Sequence, residues 1–393
     1  MNEVTLDVIE DARRFALRNI RPFAAEIDRQ QKLPLQVIAA MAAKGYLGAT
    51  IPVVYNGMGM DPVTYGLLTE QIGKACASTR SLLTVHTSLV GEAILRHGSE
   101  TQRSHWLPAM AAGEKIGAFA LSEPGIGSDA AGVTTAYRKK GSAYVLNGNK
   151  RWISFGAIAD FFIVIAREGS DITAFLVEAD TPGVSRVPIE GMLGNRGAQL
   201  AEIVFRDAEV QEANVLGKEG QGFSCIVNTA LDHGRYSIAW AGLAIAQESL
   251  DAMSGYACTR EQFGKRLFRH QSIQAMIAES TIGVHAARAL CLRAGSMRKD
   301  RHADAVTETI IAKCHTSRIA MKTAMDAVQI HGANGCWDGY PVERLFREAK
   351  ILEIIEGTTQ IHQEVITHYS MRQYGMPYNK ERATGQYHLN ENA

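Results

Sequence analysis

Gly125-Ile126-Gly127-Ser128-Asp129-Ala130 is the stretch on which the fold turns. Its spacing matches the Gly-x-Gly-x-x-Ala dinucleotide fingerprint. That motif works only where a strand turns into a helix whose N-terminal amides meet a pyrophosphate. Here the residues that follow, Thr134, Thr135 and Tyr137, are strand formers, and more strand signals come after them. With no helix at the turn, a Rossmann dinucleotide site is rejected. The glycines keep one useful property, which is that backbone amides beside them can approach a ligand closely.

Strand signals spread outward on both sides. Ile116 to Leu121 is a short apolar run, and Phe161 to Ala166, Thr173 to Val177 and Ala201 to Phe205 are rich in β-branched and aromatic residues. Between Ser142 and Ser154, Asn147-Gly148 predicts a type I′ turn closing a hairpin. Residues 116–224 therefore read as a β domain. Residues 1–115 read as helical: Val4, Val8, Ala12 and Phe15 recur at steps of three and four, and Pro34, Pro52 and Pro62 punctuate the connections. Residues 225–372 return to helix, and no proline occurs between Pro188 and Pro341. Tyr236, Trp240, Leu243, Leu250 and Met253 form one apolar stripe; Ile310, Cys314, Met321 and Val328 form another, and both predict core faces of a bundle. Residues 373–393 are a polar tail, expected to be poorly ordered. The class is α+β, ordered helix, sheet, helix.

The 393 residues carry 41 Lys+Arg against 41 Asp+Glu, so no net field draws the chain to nucleic acid or an anionic membrane. No apolar run reaches the roughly 20 residues of a membrane span, and Met1 to Phe15 lacks a signal-peptide core, which predicts a cytoplasmic protein. Cys76, Cys225, Cys258, Cys291, Cys314 and Cys336 are scattered and predict buried free thiols. The histidines show no metal-ligand spacing, so no metal is expected.

Leu121-Ser-Glu-Pro-Gly-Ile-Gly-Ser-Asp129 closely resembles the flavin loop of acyl-CoA dehydrogenases. Further segments follow in that family's order: Arg151-Trp-Ile-Ser154, Tyr256-Ala-Cys-Thr-Arg260-Glu-Gln-Phe263-Gly264 with Gln271, Gln329-Ile-His-Gly-Ala333, and Glu356-Gly-Thr-Thr-Gln360. Phe205 to Val210 and Asn214 to Gly217 resemble its link from sheet to bundle, so the likeness runs from about 10 to 370. It implies an N-terminal helical domain, a middle β-barrel-like domain and a C-terminal four-helix bundle. It also implies FAD between sheet and bundle, completed by a neighbouring subunit of a homotetramer, or of a homodimer.

By that resemblance Phe119, Leu121, Ser122, Gly127 and Ser128 line the flavin, Ser122 bonding its pyrimidine side. Trp152 and Ile153 flank the isoalloxazine, and the Ser154 hydroxyl reaches N5, where a donor favours the reduced flavin. Arg260, Phe263 and Gln271 reach the cofactor of the neighbouring subunit, Arg260 facing its pyrophosphate. Gln329, Ile330, Gly332, Ala333, Thr358, Thr359 and Gln360 complete the site. Without the resemblance, Trp152 would read as a buried strand tryptophan and Arg260 as a surface arginine.

Glu356 is the implied catalytic base, taking the proton from the carbon next to a thioester while the β-hydride passes to N5. It follows the apolar pair Ile354-Ile355, which predicts poor solvation and a raised carboxyl pKa. The thioester oxygen would meet the Glu356 amide, beside Gly357, and a flavin ribityl hydroxyl. Some relatives carry the base at the position matching Gly234, which cannot serve; Arg235 beside it would tune the carboxylate.

Ile355 stands where many relatives have Tyr. Ser78-Thr-Arg80-Ser-Leu-Leu-Thr-Val-His86 and Gly234-Arg-Tyr-Ser-Ile-Ala-Trp240 resemble glutaryl-CoA dehydrogenases, in which an arginine holds the distal carboxylate. The acidic companion of that arginine is replaced by Gly73. The same segments resemble dehydrogenases that make hydroxymalonyl or methoxymalonyl units on acyl carrier proteins. Arg80 thus points to a polar or carboxylate end of a short acyl thioester on CoA or a carrier protein, with Arg80, Ser128, Arg235 and Gly357 against the substrate. An electron-transfer flavoprotein is the implied acceptor. A flavin oxidase and a non-catalytic scaffold stay open as alternatives.

Overall fold

The computed structural model describes residues 3–375. Helices α1 (Glu3–Asn19), α2 (Ala24–Gln30), α3 (Leu35–Ala43), α4 (Pro62–Ala75), α5 (Ala77–Leu82), α6 (Glu92–His97) and α7 (Glu100–Ala111) come first. Asp61 caps α4, accepting from Val63 N at 3.0 Å, with Pro62 in the first turn. Ser99 opens α7 with a capping box: Gln102 N donates to its hydroxyl at 3.2 Å, and its own amide donates to Gln102 Oε1 at 3.0 Å. The Gln102 amide group also donates to Ala213 O and Val215 O, tying this cap to the far end of the sheet.

The sheet holds β1 (Gly117–Ala120), β2 (Ala136–Lys140), β3 (Ala143–Ile153), β4 (Phe161–Glu168), β5 (Asp171–Glu178), β6 (Val184–Pro188), β7 (Ala201–Gln211) and β8 (Val215–Leu216). Its order is β6-β7-β3-β2-β4-β5-β8, with β1 parallel to β4. Buried His86 joins it to the helices, accepting from Gly117 N through Nδ1 and facing Met110 O through Nε2. Burial pulls this imidazole down to about 4, so it is neutral.

The hairpin expected at Asn147-Gly148 is not there. β3 runs through both residues, and the turn lies one strand-length earlier, at Gly141 (φ +64°), where Lys140 pairs with Ala143. Asn147-Gly148 instead forms a bulge against β7, with a register shift between Leu146 and Gly148. Two contacts favour the bulge. Asn147 exchanges hydrogen bonds with Asp207, and a Cβ at Gly148 would lie 2.7 Å from Thr135 Cα. The expected absence of a helix after Gly127 holds: only a short 3-10 turn, Ala130–Gly132, precedes β2.

The remaining helices are α8 (Asn228–Thr259), α9 (Gln271–Lys299), α10 (Ala305–His331), α11 (Val342–Leu352) and α12 (Thr359–Ser370). Trp240 of α8 is fully buried against α4, where a Cβ on Gly66 would overlap its ring, so glycine there sets the approach of the two helices. The chain continues past α12 as a π-helical turn, Met371–Gly375; residues 376–393 of the expected tail lie outside the described residues. All six thiols are free, but only Cys76, Cys291 and Cys314 are buried; Cys258 and Cys336 are exposed, against expectation. Among the described residues no helix is long and apolar enough to cross a membrane, and no side-chain group could hold a metal ion.

Candidate active site

The link between α11 and α12 carries Glu356. Thr358 caps α12, its hydroxyl accepting from Ile361 N at 3.3 Å, and Thr359 N donates back to Glu353 O at 3.0 Å. Closing the link forces Glu356 to φ +56° and Gly357 to +96°. A left-handed glutamate costs about 1–2 kcal/mol and persists only when its surroundings hold it. Two cations do so: Arg235 Nε donates to Glu356 O at 3.1 Å, and Lys313 Nζ donates to Gly357 O at 2.7 Å.

The Glu356 carboxyl is turned inward. Its Oε2 is buried and has no hydrogen-bond partner. Burial pushes its pKa up to about 7, with Arg235, Lys313 and Arg80 opposing. Room for it comes from Gly234, where a Cβ would stand 2.5 Å from Oε2 and 2.6 Å from Leu89 Cδ2. The position unable to carry a carboxyl is thus the one that makes space for that of Glu356.

Arg80 lies deeper, 1% exposed, at the start of a fully buried segment that continues as a π-helical turn, Leu83–Gly91. One guanidinium nitrogen donates to the carbonyl and hydroxyl of Ser237; Nε has no partner, and among the described residues no carboxylate pairs with it. Burial lowers its pKa to about 10, with Tyr65 and Glu356 opposing. Gly73 is its neighbour, a Cβ there falling 3.4 Å from Arg80 Cγ, so the missing acidic companion leaves the cation unanswered. Hydroxyls surround it instead: Thr84 with Ser237 at 3.2 Å, and Tyr65 with Ser88 at 2.8 Å. A cavity of about 200 Å³ opens beside Tyr65 and Ser88, walled also by Glu92, His233 and Tyr236.

On the sheet, Phe119 and Leu121 are buried, Ser122 is half-buried, and Gly127 and Ser128 are exposed. Added Cβ atoms at Gly125 and Gly127 would meet nothing within 4 Å, so chain packing does not demand glycine there. Ser122 O accepts from Arg151 N at 2.8 Å, setting this loop beside Trp152. Trp152 is 47% exposed at φ +64°, with the Arg151 guanidinium 4.8 Å from its ring; it is not the buried strand tryptophan that the residues alone suggest. Ile153 is buried and Ser154 half-buried. Underneath, Lys150 and Glu123 form a fully buried pair at 2.7 Å.

Arg260, Phe263 and Gln271 are exposed at the far end of α8 and the start of α9. Phe263 (φ +52°) and Gly264 (φ +71°) turn a two-stranded hairpin whose tip leaves Phe263 94% exposed. Arg260 lines a cavity of about 690 Å³ with Tyr256, His331, Asn334 and Tyr340, in which Glu356 has no part. Gln329, Gly332 (φ +60°) and Ala333 are exposed beside it, whereas Ile330 is buried. Gln360 is exposed and Thr359 buried at the start of α12. The structure therefore gathers Glu356, Gly357, Arg235 and Arg80 in one place and Arg260 with the 329–333 segment in another.

Lys313, Ser237, His362 and the Glu123–Lys150 pair went unread in the sequence. One signal was available: Lys313 stands at a core position of α10, three residues after Ile310 and four before Ser317, and all three are buried.

Models of the acyl-CoA dehydrogenase N-terminal, middle and C-terminal domains match residues 2–114, 118–208 and 220–370. An acyl-CoA dehydrogenase of Bacillus subtilis is 40% identical over 362 residues, 91% of this chain and 95% of that one. The structure of butyryl-CoA dehydrogenase from Megasphaera elsdenii superposes with a TM-score of 0.91 at 34% identity, covering 95% of this chain and 99% of that chain. A glutaryl-coenzyme A dehydrogenase in complex with glutaryl-CoA superposes at 0.91 and 30% identity, covering 95% and 96%.

Proposed function

We infer the activity from one premise: the chain belongs to the acyl-CoA dehydrogenase family. It is accordingly a flavoenzyme that oxidises an acyl thioester with FAD. The residues fit that cofactor, since the open face at Gly125 and Gly127 and the strained, half-exposed Trp152 serve no purpose in the chain's own packing. Phe119, Leu121, Ser122, Gly127, Ser128, Trp152, Ile153 and Ser154 would hold the flavin. Arg260, Phe263, Gln271 and the 329–333 segment would hold the cofactor of a neighbouring copy, which accounts for an almost fully exposed phenylalanine. When bound, FAD supplies the two-electron acceptor for the hydride leaving the β-carbon.

The observation carrying the mechanism is the partnerless Oε2 of Glu356. That oxygen takes the α-proton. Its raised pKa puts the base near ambient pH, where both its ionised fraction and its proton affinity are useful. The Glu356 amide donates to the thioester oxygen as charge develops there. Arg235 holds the turn from the side through the Glu356 carbonyl.

Arg80 selects the substrate. It is a buried guanidinium without a counter-charge, close enough to Glu356 for the two charges to interact. Such a cation is stabilised by an anionic or strongly polar group at the end of a short acyl chain. Arg80→Met should lower kcat/KM for a carboxylate-ended acyl thioester about 10²-fold, the worth of a charged hydrogen bond. At a pH well above 7, where Glu356 stays ionised without the Arg80 charge, butyryl thioester should change by no more than about threefold; equal losses on both there would remove Arg80 from substrate recognition.

Gly234→Ala tests the space around the base. The new Cβ must displace Oε2, and a misplacement near 1 Å costs about 10²-fold in rate. Flavin content should be unchanged, and a wild-type rate would show that the carboxyl does not work where it now stands.

The experiment that tests the whole reading is anaerobic bleaching of the bound flavin against CoA and acyl-carrier-protein thioesters of graded length and polarity. Fastest bleaching by short, polar-ended chains supports it, and the better carrier identifies the partner. Reoxidation by a ferrocenium dye, standing in for an electron-transfer flavoprotein, should outrun peroxide release under air; the reverse order marks an oxidase.

A further inference from the structure

Lys313 is buried in the core of the helical bundle, fully shielded from solvent, yet among the described residues no carboxylate lies within ion-pair distance of it. Its ammonium carries three donors, and the hydrogen bond found for it runs to the Gly357 carbonyl at 2.7 Å. A buried ammonium is unfavourable unless nearby groups compensate it. Two groups here do so, the Gly357 carbonyl dipole and the charge of the Glu356 carboxylate.

We propose that Lys313 is a positioning residue for the base: it anchors the Glu356–Gly357 turn by its carbonyl and holds a positive charge beside the carboxyl. The proposal rests on Glu356 being the base. Arg235 from α8 and Lys313 from α10 grip consecutive carbonyls of two residues that both have left-handed φ, so the turn cannot relax without breaking one of these bonds. From α12, His362 closes the floor: it is fully buried, both its ring nitrogens lack partners, and a Cβ at Gly357 would stand 2.8 Å from its Nε2. Burial, with Lys313 and Arg235 adding to it, pulls His362 down to about 3, so it contributes no charge. The charges facing Glu356 are therefore Arg235, Lys313 and Arg80, all favouring the carboxylate; burial, with Arg235 adding to it, lowers Lys313 to about 8 against Glu356, Cys314 and Glu353, so it is still mostly cationic where the acid limb lies. Arg80 bonds Ser237 and Arg235 bonds the Glu356 carbonyl, so Lys313 is the cation that holds the Gly357 side of the turn.

Lys313→Met keeps the length and apolar stem and removes the charge and the donor. In the holoenzyme, the acid limb of the kcat/KM profile should move to higher pH by about one unit, because the carboxylate loses a stabilising cation. An infrared difference titration of the Glu356 carboxyl, taken against Glu356→Gln, should show the same shift without turnover. Lys313→Arg should bring the limb back. A folded, flavin-loaded Lys313→Met with the wild-type limb overturns the proposal, since a merely structural lysine would alter yield or melting and leave that limb alone. If Lys313→Met does not accumulate folded, Lys313→Gln decides, since its amide can still donate toward the Gly357 carbonyl while the charge is gone: an acid limb moved to higher pH supports the proposal, and the wild-type limb overturns it. Full flavin reduction by Glu356→Gln would instead sink the underlying assignment of the base, whatever Lys313 does.

Discussion

Glu356→Gln should bind FAD and thioester and yet reduce the flavin about 10⁴-fold more slowly, the upper range for loss of a general base. The amide keeps the shape of the side chain and removes its ability to take a proton. Stopped-flow bleaching under anaerobic conditions measures the loss, and wild-type bleaching by the variant would end the mechanism. The wild-type enzyme should show the matching pH dependence: kcat/KM falls as pH drops through about 7, because burial has raised the carboxyl into that range and only its ionised form accepts the proton. The same shift makes a stability statement. A carboxyl whose folded pKa lies above its unfolded value binds extra protons in the folded state, so stability is lost as pH rises from about 4.5 to about 7. Glutamine has no such penalty. Glu356→Gln should therefore melt higher than wild type above neutrality, with no advantage below pH 4.5, a stability–activity trade centred on an oxygen that the fold leaves without a partner.

The helix–sheet–helix order was legible because it rests on periodicity and on breakers, which are local. The long α8 and α10 follow from apolar stripes, α9 between them only from the absent prolines, and the rejected fingerprint at Gly125 follows from what lies next to it. Asn147-Gly148 misled because the dipeptide satisfies two geometries, a two-residue turn and a bulge. Only the partner strand β7, with Asp207 placed to meet Asn147, selects the bulge. Glu356 was singled out by its motif; the apolar pair before it is no guide to its solvation, since Ile354 is exposed and Ile355 half-buried, and the carboxyl is buried because the turn aims it inward. Of the cradle around it, Gly234 and Arg235 were named through the resemblance, but Lys313 and His362 were not, since they reach the turn from two other helices, α10 and α12. A lysine inside an apolar stripe reads as one whose charged end escapes to solvent, and nothing local says that a carbonyl 44 residues on is waiting for it. Trp152 was misjudged on its residues for a related cause: tryptophan is usually buried, and its left-handed backbone shows only in the folded chain.

Lys150→Met should be the most destabilising single change near the 121–129 loop, at about 3–5 kcal/mol, because it leaves a buried carboxylate without its cation. Glu123 and Lys150 are both inaccessible, 2.7 Å apart, and the Lys150 ammonium also donates to Leu121 O at 3.0 Å. Burial pushes the Glu123 carboxyl up, but Lys150, the Thr134 hydroxyl and the Thr135 amide together outweigh it and hold it at about 2. The pair thus knits Leu121 and Glu123 of the loop to the strand that bears Trp152, and to Thr134 and Thr135 beyond the glycines. Because the folded pKa of Glu123 is depressed, its contribution to stability is present above about 4.5 and is lost as pH falls toward about 2. The deficit of Lys150→Met should therefore be largest near neutrality and shrink on acidification, where the orphaned carboxyl is protonated in folded and unfolded chains alike. Glu123→Gln combined with Lys150→Met is the deciding control. Removing both charges abolishes the uncompensated ion, so the double variant should be more stable than Lys150→Met alone, with a coupling well above the ~0.5 kcal/mol expected of independent sites. Additive losses in urea melts would mean that the two side chains matter by bulk and not as a pair. A rescued fold that binds FAD weakly would separate the pair's two tasks, showing that the charges hold the loop in its flavin-ready shape even where stability no longer needs them.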